Sequence, residues 1–434
     1  MINSKFYLSK NKQLHGGNMN NIEEKANYCL SCKVKPCTKG CPLDNDITEF
    51  IKLVKENNYQ EAYKVATKTS VLQSICGRIC PHMSQCEGKC IRGIKQDPVC
   101  IGDIEAYIGD KAISENYSMC EPEKKVSQNV KVAVIGSGPA GLTCAAFLAR
   151  AGVQTTIYEK YDKLGGILRH GIPDFRLPKD ILDKNIEKIL SLGINVKYNQ
   201  ELGKNLNLDE IKSCYDAVFI AVGANISWKM GIPGEELDGV YGGNELLEKN
   251  NHPDYTGKTV IVSGGGNVAM DCARTVKRLG AKSVKVVYRR AEEQMPAEKK
   301  EIDDAKSEGI EFLFQNNILK IYGNNKVNGV ECIKTELVEK EGESRLSPVN
   351  IEGSNYNVDA DYVIMAIGST VEKEVVDDLN LELTSKGYIQ VDENYETSQK
   401  NIFAGGDLVG TKATVAWAAK TGRSAAEKII ERLC

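Results

Sequence analysis

Eight cysteines fall into two quartets near the start of the chain: Cys29, Cys32, Cys37 and Cys41, then Cys76, Cys80, Cys86 and Cys90. Proline directly follows Cys41 and Cys80. Thiolates this dense, with proline after a ligand, are the sequence mark of iron–sulfur ligation. A cluster moves one electron at a time, so the chain reads as part of an electron path. The cysteines beyond residue 120 (Cys144, Cys214, Cys272, Cys332 and Cys434) are scattered singly, as buried small hydrophobes are.

A second chemistry begins at Lys131. A strand to Ile135 runs into Gly136, Ser137, Gly138, Pro139, Ala140 and Gly141, and a helix is expected from about Leu142 to Ala151. A further strand, Val153 to Tyr158, ends at Glu159. Glycines there let the backbone turn tightly and approach a pyrophosphate on the helix N-terminus. An acid about twenty residues on can hydrogen-bond a ribose hydroxyl. The unit recurs: strand Thr259 to Ser263, loop Gly264, Gly265, Gly266, Asn267, Val268 and Ala269, a helix to about Leu279, and strand Ser283 to Tyr288. Where the first copy carries its acid, the second has Val287, Tyr288, Arg289 and Arg290. Loss of the carboxylate removes repulsion, and two guanidiniums suit a 2′-phosphate. The second site is therefore expected to prefer NADP(H); the plainer alternative is that the arginines solvate a strand end.

Other elements must position these loops. Asp216 to Gly223 and Asp361 to Gly368 resemble each other, each a buried strand ending in glycine after a nucleotide unit. They read as crossings between nested dinucleotide domains. Residues 320 to 360 read as charged strands and hairpins with no assigned chemistry. Ile402 to Asp407, with Gly405 and Gly406, leads into a small-residue helix from about Thr414. Glycines and an acid before such a helix suit an isoalloxazine and its ribityl chain; taken alone, the stretch reads equally as a turn before a packed helix. Between the quartets, Ile47 to Lys68 has helical spacing with Asp46 as N-cap.

The 434 residues allow several domains, and a net charge of −3 suggests no general affinity for polyanions. No apolar run approaches a membrane span and no signal peptide opens the chain, so a reducing, cytoplasmic protein is expected. The first twenty or so residues read as a loose tail, with Met19 an alternative start.

The first cysteine quartet, VAVIGSGPAGL, LGGILRHGIPDFRLP, GGGNVAMD, VVYRR and FAGGDLVG stand in this order. Together they resemble the glutamate synthase small-chain family of pyridine-nucleotide flavoproteins. The same module forms part of dihydropyrimidine dehydrogenase and of ferredoxin:NADP transhydrogenases. The resemblance covers nearly everything after residue 25. It implies an α/β architecture: a small helical iron–sulfur domain, residues 25–125 after a tail at 1–24, then two nested Rossmann-like domains. The FAD domain would take 126–240 and 360–434, and the NADPH domain 241–359. Gly165, Gly166, Arg176 and the stretch Gly406 to Thr414, Asp407 included, would line the flavin. Ala366, Ile367 and Gly368 would lie on the nicotinamide side. His170 falls in the flavin-lining segment, at a place where the family fixes no histidine.

The resemblance also implies two 4Fe-4S clusters that share the quartets crosswise. Cys29, Cys32 and Cys37 would join Cys90 at one. Cys41, Cys80 and Cys86 would hold the other, with Glu105 in the place of the family's Gln or Glu ligand. On chemistry alone Cys76 and Cys100 compete for that fourth position. The implied activity is hydride transfer from NADPH to FAD, then single electrons through the clusters. No catalytic side chain is needed, because the chemistry belongs to the cofactors. The electrons would go to a larger catalytic subunit that makes glutamate from glutamine and 2-oxoglutarate, since this chain is too short for that reaction itself. The alternatives are a ferredoxin or transhydrogenase role, a dihydropyrimidine dehydrogenase-type subunit, or a standalone dehydrogenase. A disulfide reductase would need a redox Cys-x2-Cys in the nucleotide domains, and none occurs there. A zinc-binding interaction module and a structural subunit with vestigial sites are weaker rivals.

Overall fold

A computed structural model describes residues 19–126, 129–339 and 345–433. Its α/β fold divides into two compact units. One comprises residues 1–164, 177–221 and 389–434; the other comprises 165–176 and 222–388.

The first unit opens with helices α1 (Met19–Asn27), α2 (Pro36–Gly40), α3 (Ile47–Lys55), α4 (Tyr59–Thr67), α5 (Gln73–Ile79) and α6 (Ile101–Ser114). The expected tail to residue 24 is thus helical from Met19, because Ile22 and Ala26 bury into a core with Phe50 and Val54. Residues 1–18 of that tail lie outside the described residues. The helical pattern between the quartets is two helices, broken where Asn57 takes φ 57°. Asp46 caps α3 as its position suggests, accepting from Glu49 N.

The nucleotide fold of this unit follows as β1 (Lys131–Ile135), α7 (Pro139–Arg150) and β2 (Gln154–Tyr158). After α8 (Ile167–His170), which belongs to the second unit, come α9 (Lys179–Leu190), β3 (Asn195–Lys197), α10 (Leu208–Cys214) and β4 (Ala217–Ile220).

The second unit continues with β5 (Ile226–Ser227), β6 (Val240–Gly242), α11 (Gly243–Lys249), β7 (Thr259–Ser263), α12 (Asn267–Arg278), β8 (Ser283–Tyr288), α13 (Lys299–Ser307) and β9 (Glu311–Phe314). Then come β10 (Asn316–Gly323), β11 (Val327–Val338), β12 (Ser347–Asn350), β13 (Tyr356–Asp359), β14 (Tyr362–Met365), β15 (Ser369–Thr370) and α14 (Lys373–Asp377). The chain closes in the first unit with β16 (Ile402–Ala404) and α15 (Val415–Leu433).

Each unit holds one five-stranded parallel sheet. Their orders, β16-β4-β1-β2-β3 and β6-β14-β7-β8-β9, correspond strand for strand over β4-β1-β2-β3 and β14-β7-β8-β9. This internal repeat is what the paired glycine loops imply. The segments read as crossings are the strands beside each loop strand: β4 pairs β1, and β14 pairs β7. The chain leaves the first unit just after β4 and returns at residue 389, whereas the expected boundaries were 240 and 360. The charged stretch at 320–360 is the antiparallel sheet of β10 to β13.

Candidate redox and nucleotide sites

Cys29, Cys32, Cys37 and Cys90 line one cavity, together with Pro36, Ile47, Ile51, Val99 and Ile101. Cys29 and Cys32 sit on a loop turned by Ser31 and Lys35, both at positive φ, and Cys37 follows in α2. The fourth closes the 3-10 turn Glu87–Lys89. Arg92 ties the two segments, donating to Tyr28 O at 3.0 Å with its guanidinium over the Tyr28 ring. Burial pushes the Cys37 thiol up to about 11, and the neighbouring Cys29 and Cys90 add to the rise. Iron would reverse that balance, so four sulfurs facing one apolar cavity fit a cluster.

A second group gathers Cys41, Cys80, Cys86 and Glu105, whose charges act on one another. Glu105 comes from α6, Cys80 from the end of α5. Gly77 lets the two helices touch, because a Cβ there would overlap Ala106 N and Gly102 O. Glu105 is 6% exposed, and burial pushes its carboxyl up to about 8, partly offset by Asn45 Nδ2 donating at 3.2 Å. Asn45 was invisible to sequence reasoning, which offers no pattern for a partner sixty positions away. Cys76 also belongs to this group, one turn before Cys80 and hydrogen-bonded to it. Cys100 does not: it is exposed, and its electrostatic neighbours are Asp103, Glu87, Lys25 and Asp97. One carboxylate and several thiols thus converge in a second group whose donors would fit a cluster.

The glycine loop of the first unit has the geometry of an anion site. Gly136 takes φ 99° and its N donates to Tyr158 O at 2.8 Å. A Cβ on Gly141 would overlap Gly136 O, whereas nothing lies within 4 Å of one on Gly138. That opening, at a helix N-terminus without a side-chain cap, fits a pyrophosphate. Glu159, at the end of β2, is 3% exposed; its carboxylate accepts from Ser137 N at 3.0 Å and from the Ser137 hydroxyl. Burial raises its pKa. After β16, at the same edge of this parallel sheet, Gly406 takes φ 71°, and its N donates to Thr421 Oγ1 at 2.7 Å. Asp407 is raised by burial and accepts from Thr411 Oγ1 at 2.9 Å. Gly422 lets α15 approach Ala140 O on α7, so Gly406 to Thr414 sits beside the first loop. Gln85, next to Cys86, donates to Thr414 Oγ1 at 3.4 Å.

In the second unit Gly264 takes φ 136° and its N donates to Val287 O at 3.0 Å, the same bond that Gly136 makes. The match puts Tyr288 where the first copy has Glu159 and Gly265 where it has Ser137. The Tyr288 ring fills the space a Cβ on Gly265 would need. Gly266 corresponds to Gly138, with only Pro296 Cγ at 4.0 Å from its Cβ position. Asn267 starts α12, its Oδ1 accepting from Glu298 N at 3.0 Å, and Val268 follows. Arg289 is exposed and Arg290 half-buried just beyond β8. Ala366, Ile367 and Gly368 follow β14; a Cβ on Gly264 would overlap Ala366 O, and one on Gly368 would press on the Trp228 ring.

Gly165, Gly166 and Arg176, expected at the flavin, lie in the second unit. Arg176 is committed to an ion-pair network: Nη1 is 2.8 Å from Asp271 Oδ2 and Nε is 3.1 Å from Glu301 Oε1. Two buried carboxylates from α12 and α13 require that charge, which explains why the guanidinium turns into the protein. Among the described residues no helix is long and apolar enough to cross a membrane.

Residues 130–422 match the family described as Pyridine nucleotide-disulphide oxidoreductase. Residues 9–117 match the family described as Dihydropyrimidine dehydrogenase domain II, 4Fe-4S cluster. The glutamate synthase (NADPH) small chain of Escherichia coli is 39% identical over 94% of this chain and 90% of its own. That of Halomonas elongata is 36% identical over 94% and 90%. Among solved structures, Mycobacterium tuberculosis FprA in complex with NADPH superposes with a TM-score of 0.62 at 21% identity, covering 70% of this chain and 85% of that one. At that identity the likeness is one of fold.

Proposed function

Since the chain belongs to the glutamate synthase small-chain family and joins a pyridine-nucleotide oxidoreductase domain to a 4Fe-4S domain, we propose that it oxidises NADPH and releases single electrons to a separate protein. The observation that carries this reading is the junction inside the first unit. Gln85 joins the second cysteine group to Thr414, and Arg423 on α15 donates to Leu43 O and Thr69 O at 2.8 and 3.2 Å. Polar bonds of this kind, one of them buried, hold the cysteine domain against α15 and the segment before it.

FAD, when bound, accepts a hydride and gives up electrons singly, which no side chain here could do. The chain's own part is to bind, orient and exclude water. Gly138 and the N-terminus of α7 receive the FAD pyrophosphate, with Glu159 at the ribose. Gly266 and the N-terminus of α12 receive that of NADPH, with Arg289 and Arg290 at its 2′-phosphate. Cys29, Cys32, Cys37 and Cys90 hold one cluster; Cys41, Cys80, Cys86 and Glu105 hold a second.

The acceptor is a larger catalytic chain of the kind the glutamate synthase relatives' name implies. Leu30 and Ile91, which line the first cavity, are 51 and 37% exposed, apolar surface that suits a protein acceptor. Anaerobic co-purification from the source cells, with mass identification of what stays bound, tests this. A large amidotransferase-bearing partner supports the reading. Recovery of the chain alone, reducing ferredoxin with NADPH, moves it to general electron transfer. An FAD- and iron-loaded chain that reduces no one-electron acceptor with NADPH refutes both.

A further inference from the structure

Arg289 and Arg290 are the arginines that a motif can find at the end of β8, but the fold brings a third. Arg345 lies just ahead of β12, far along the chain and outside any nucleotide pattern. Its Nη2 donates to Gln294 O at 2.8 Å, and the Tyr288 hydroxyl donates to the same oxygen, also at 2.8 Å. Both groups therefore converge on one carbonyl, and Tyr288 is the residue that replaces the ribose-binding acid of the first unit. The next residue, Leu346, offers its carbonyl to Arg290 Nε at 3.1 Å. Thr335, on the strand that pairs with β12, donates its hydroxyl to Arg289 O at 2.8 Å. The β11–β12 hairpin is thus stitched to the Tyr288–Arg290 strand end by two hydrogen bonds, and to Gln294 by a third. It brings Arg345 to Gln294 and the Tyr288 hydroxyl, with the neighbouring Leu346 carbonyl on the Arg290 guanidinium.

Charge makes the arrangement informative. Among the described residues none of the three arginines has a carboxylate partner, although the neighbourhood is rich in both signs. Glu292, on the same 3-10 turn as Gln294, is taken by Lys306 at 2.6 Å. Arginines without a carboxylate partner are open to an anion, and a dianionic phosphate accepts several guanidinium donors at once.

We infer that Arg345 is a specificity-determining residue of the second nucleotide site, contributing to recognition of the 2′-phosphate from the β11–β12 hairpin. This deepens the proposed NADPH site and rests on it. The hairpin would then close the adenosine end of the site, and NADPH selectivity would have two origins: a pair of adjacent arginines on the strand and one supplied from a separate sheet.

The test is calorimetric titration of the oxidised holoenzyme with 2′,5′-ADP and with 5′-AMP, which differ only in the phosphate. Arg345→Ala should weaken 2′,5′-ADP roughly tenfold and leave 5′-AMP unchanged, as loss of one charge-assisted bond predicts. Arg345→Glu should weaken it further. Equal weakening of both ligands would overturn the inference by making Arg345 a prop for Gln294 and Tyr288, and so would no change in either. The parent reading fails separately: wild-type enzyme that binds the two ligands equally has no 2′-phosphate site, whatever Arg345 does. Wild-type preference that survives Arg345→Ala but is lost in the Arg289→Ser/Arg290→Ser double variant refutes only the role of Arg345.

Discussion

Replacing Arg176 with methionine should destabilise the second unit more than any change at its surface. The side chains of Arg176, Asp271, Arg274 and Glu301 are 7, 5, 6 and 11% exposed, so water screens them little. Arg176 bonds Asp271 through both carboxylate oxygens, at 3.1 and 2.8 Å, and faces Glu301. Arg274 remains for Glu301, and it also meets Asp304 and Glu308 near the rim at 3.1 and 3.0 Å. Asp271 is left without its bonded cation. Breaking a buried pair from one side costs about 3–5 kcal/mol, because the survivor is desolvated and uncompensated. With a urea m-value of about 2 kcal/mol/M, the midpoint should fall by roughly 1.5–2.5 M. Trp228 fluorescence in a Trp417→Phe background reports that unit alone, since the chain has only these two tryptophans and Trp417 lies in the other.

The pH dependence sharpens this test. Burial pushes Asp271 up to about 7 from an ordinary 3.8, even against the pull of Arg176. Between those values the folded state holds a proton that the unfolded state has lost, so stability falls as pH rises through the window. Without Arg176 the folded pKa rises further, and the fall continues to higher pH. The deficit of the variant should therefore be larger at about pH 8 than at about pH 6. A midpoint shift below about 0.5 M, or a deficit that does not grow with pH, would mean that the network is screened and the argument fails.

Arg289→Glu with Arg290→Ser should raise the NADPH Michaelis constant at least about tenfold while changing the NADH value little, by loss of charge-assisted bonds; steady-state kinetics with each nucleotide decide it, and equal effects sink the assignment. Gly141→Ala should strip FAD from the purified chain, because the added Cβ meets Gly136 O, a backbone atom that cannot step aside; the flavin absorbance per chain measures it. Cys37→Ser should lower iron by about half, if two clusters of equal size are present, and leave the flavin bound. Glu105→Gln and Cys76→Ser together identify the fourth donor of the second group: the electron paramagnetic resonance of one cluster should change with the first variant and persist with the second.

Much of the site was legible in advance because its signals are local. A glycine loop, the strand before it and the residue after the next strand all lie within one βαβ unit, and backbone sterics impose the same types at the same spacing each time. That is why β1, β7 and the positions of Gly136, Gly138, Gly264 and Gly266 could be read directly. The helix starting at Met19 was not legible, since its short apolar pattern is weak and its burial depends on Phe50 and Val54. The ion pairs of Arg176 were not legible for a related reason: its segment carries a family pattern, but the carboxylates it meets sit on α12 and α13.

The sequence by itself determined that this chain binds two dinucleotides and carries a cysteine-rich domain, because each motif contains its own geometric reason. Which cysteines share a cavity, that Cys76 stands with Glu105 while Cys100 does not, and that Arg345 reaches Gln294 were decided only by tertiary structure. Those groupings join residues far apart in the chain. Spacing constrains a turn or a loop, but convergence of distant side chains depends on how α5 packs on α6 and how β11 pairs with β12, and no local pattern records that.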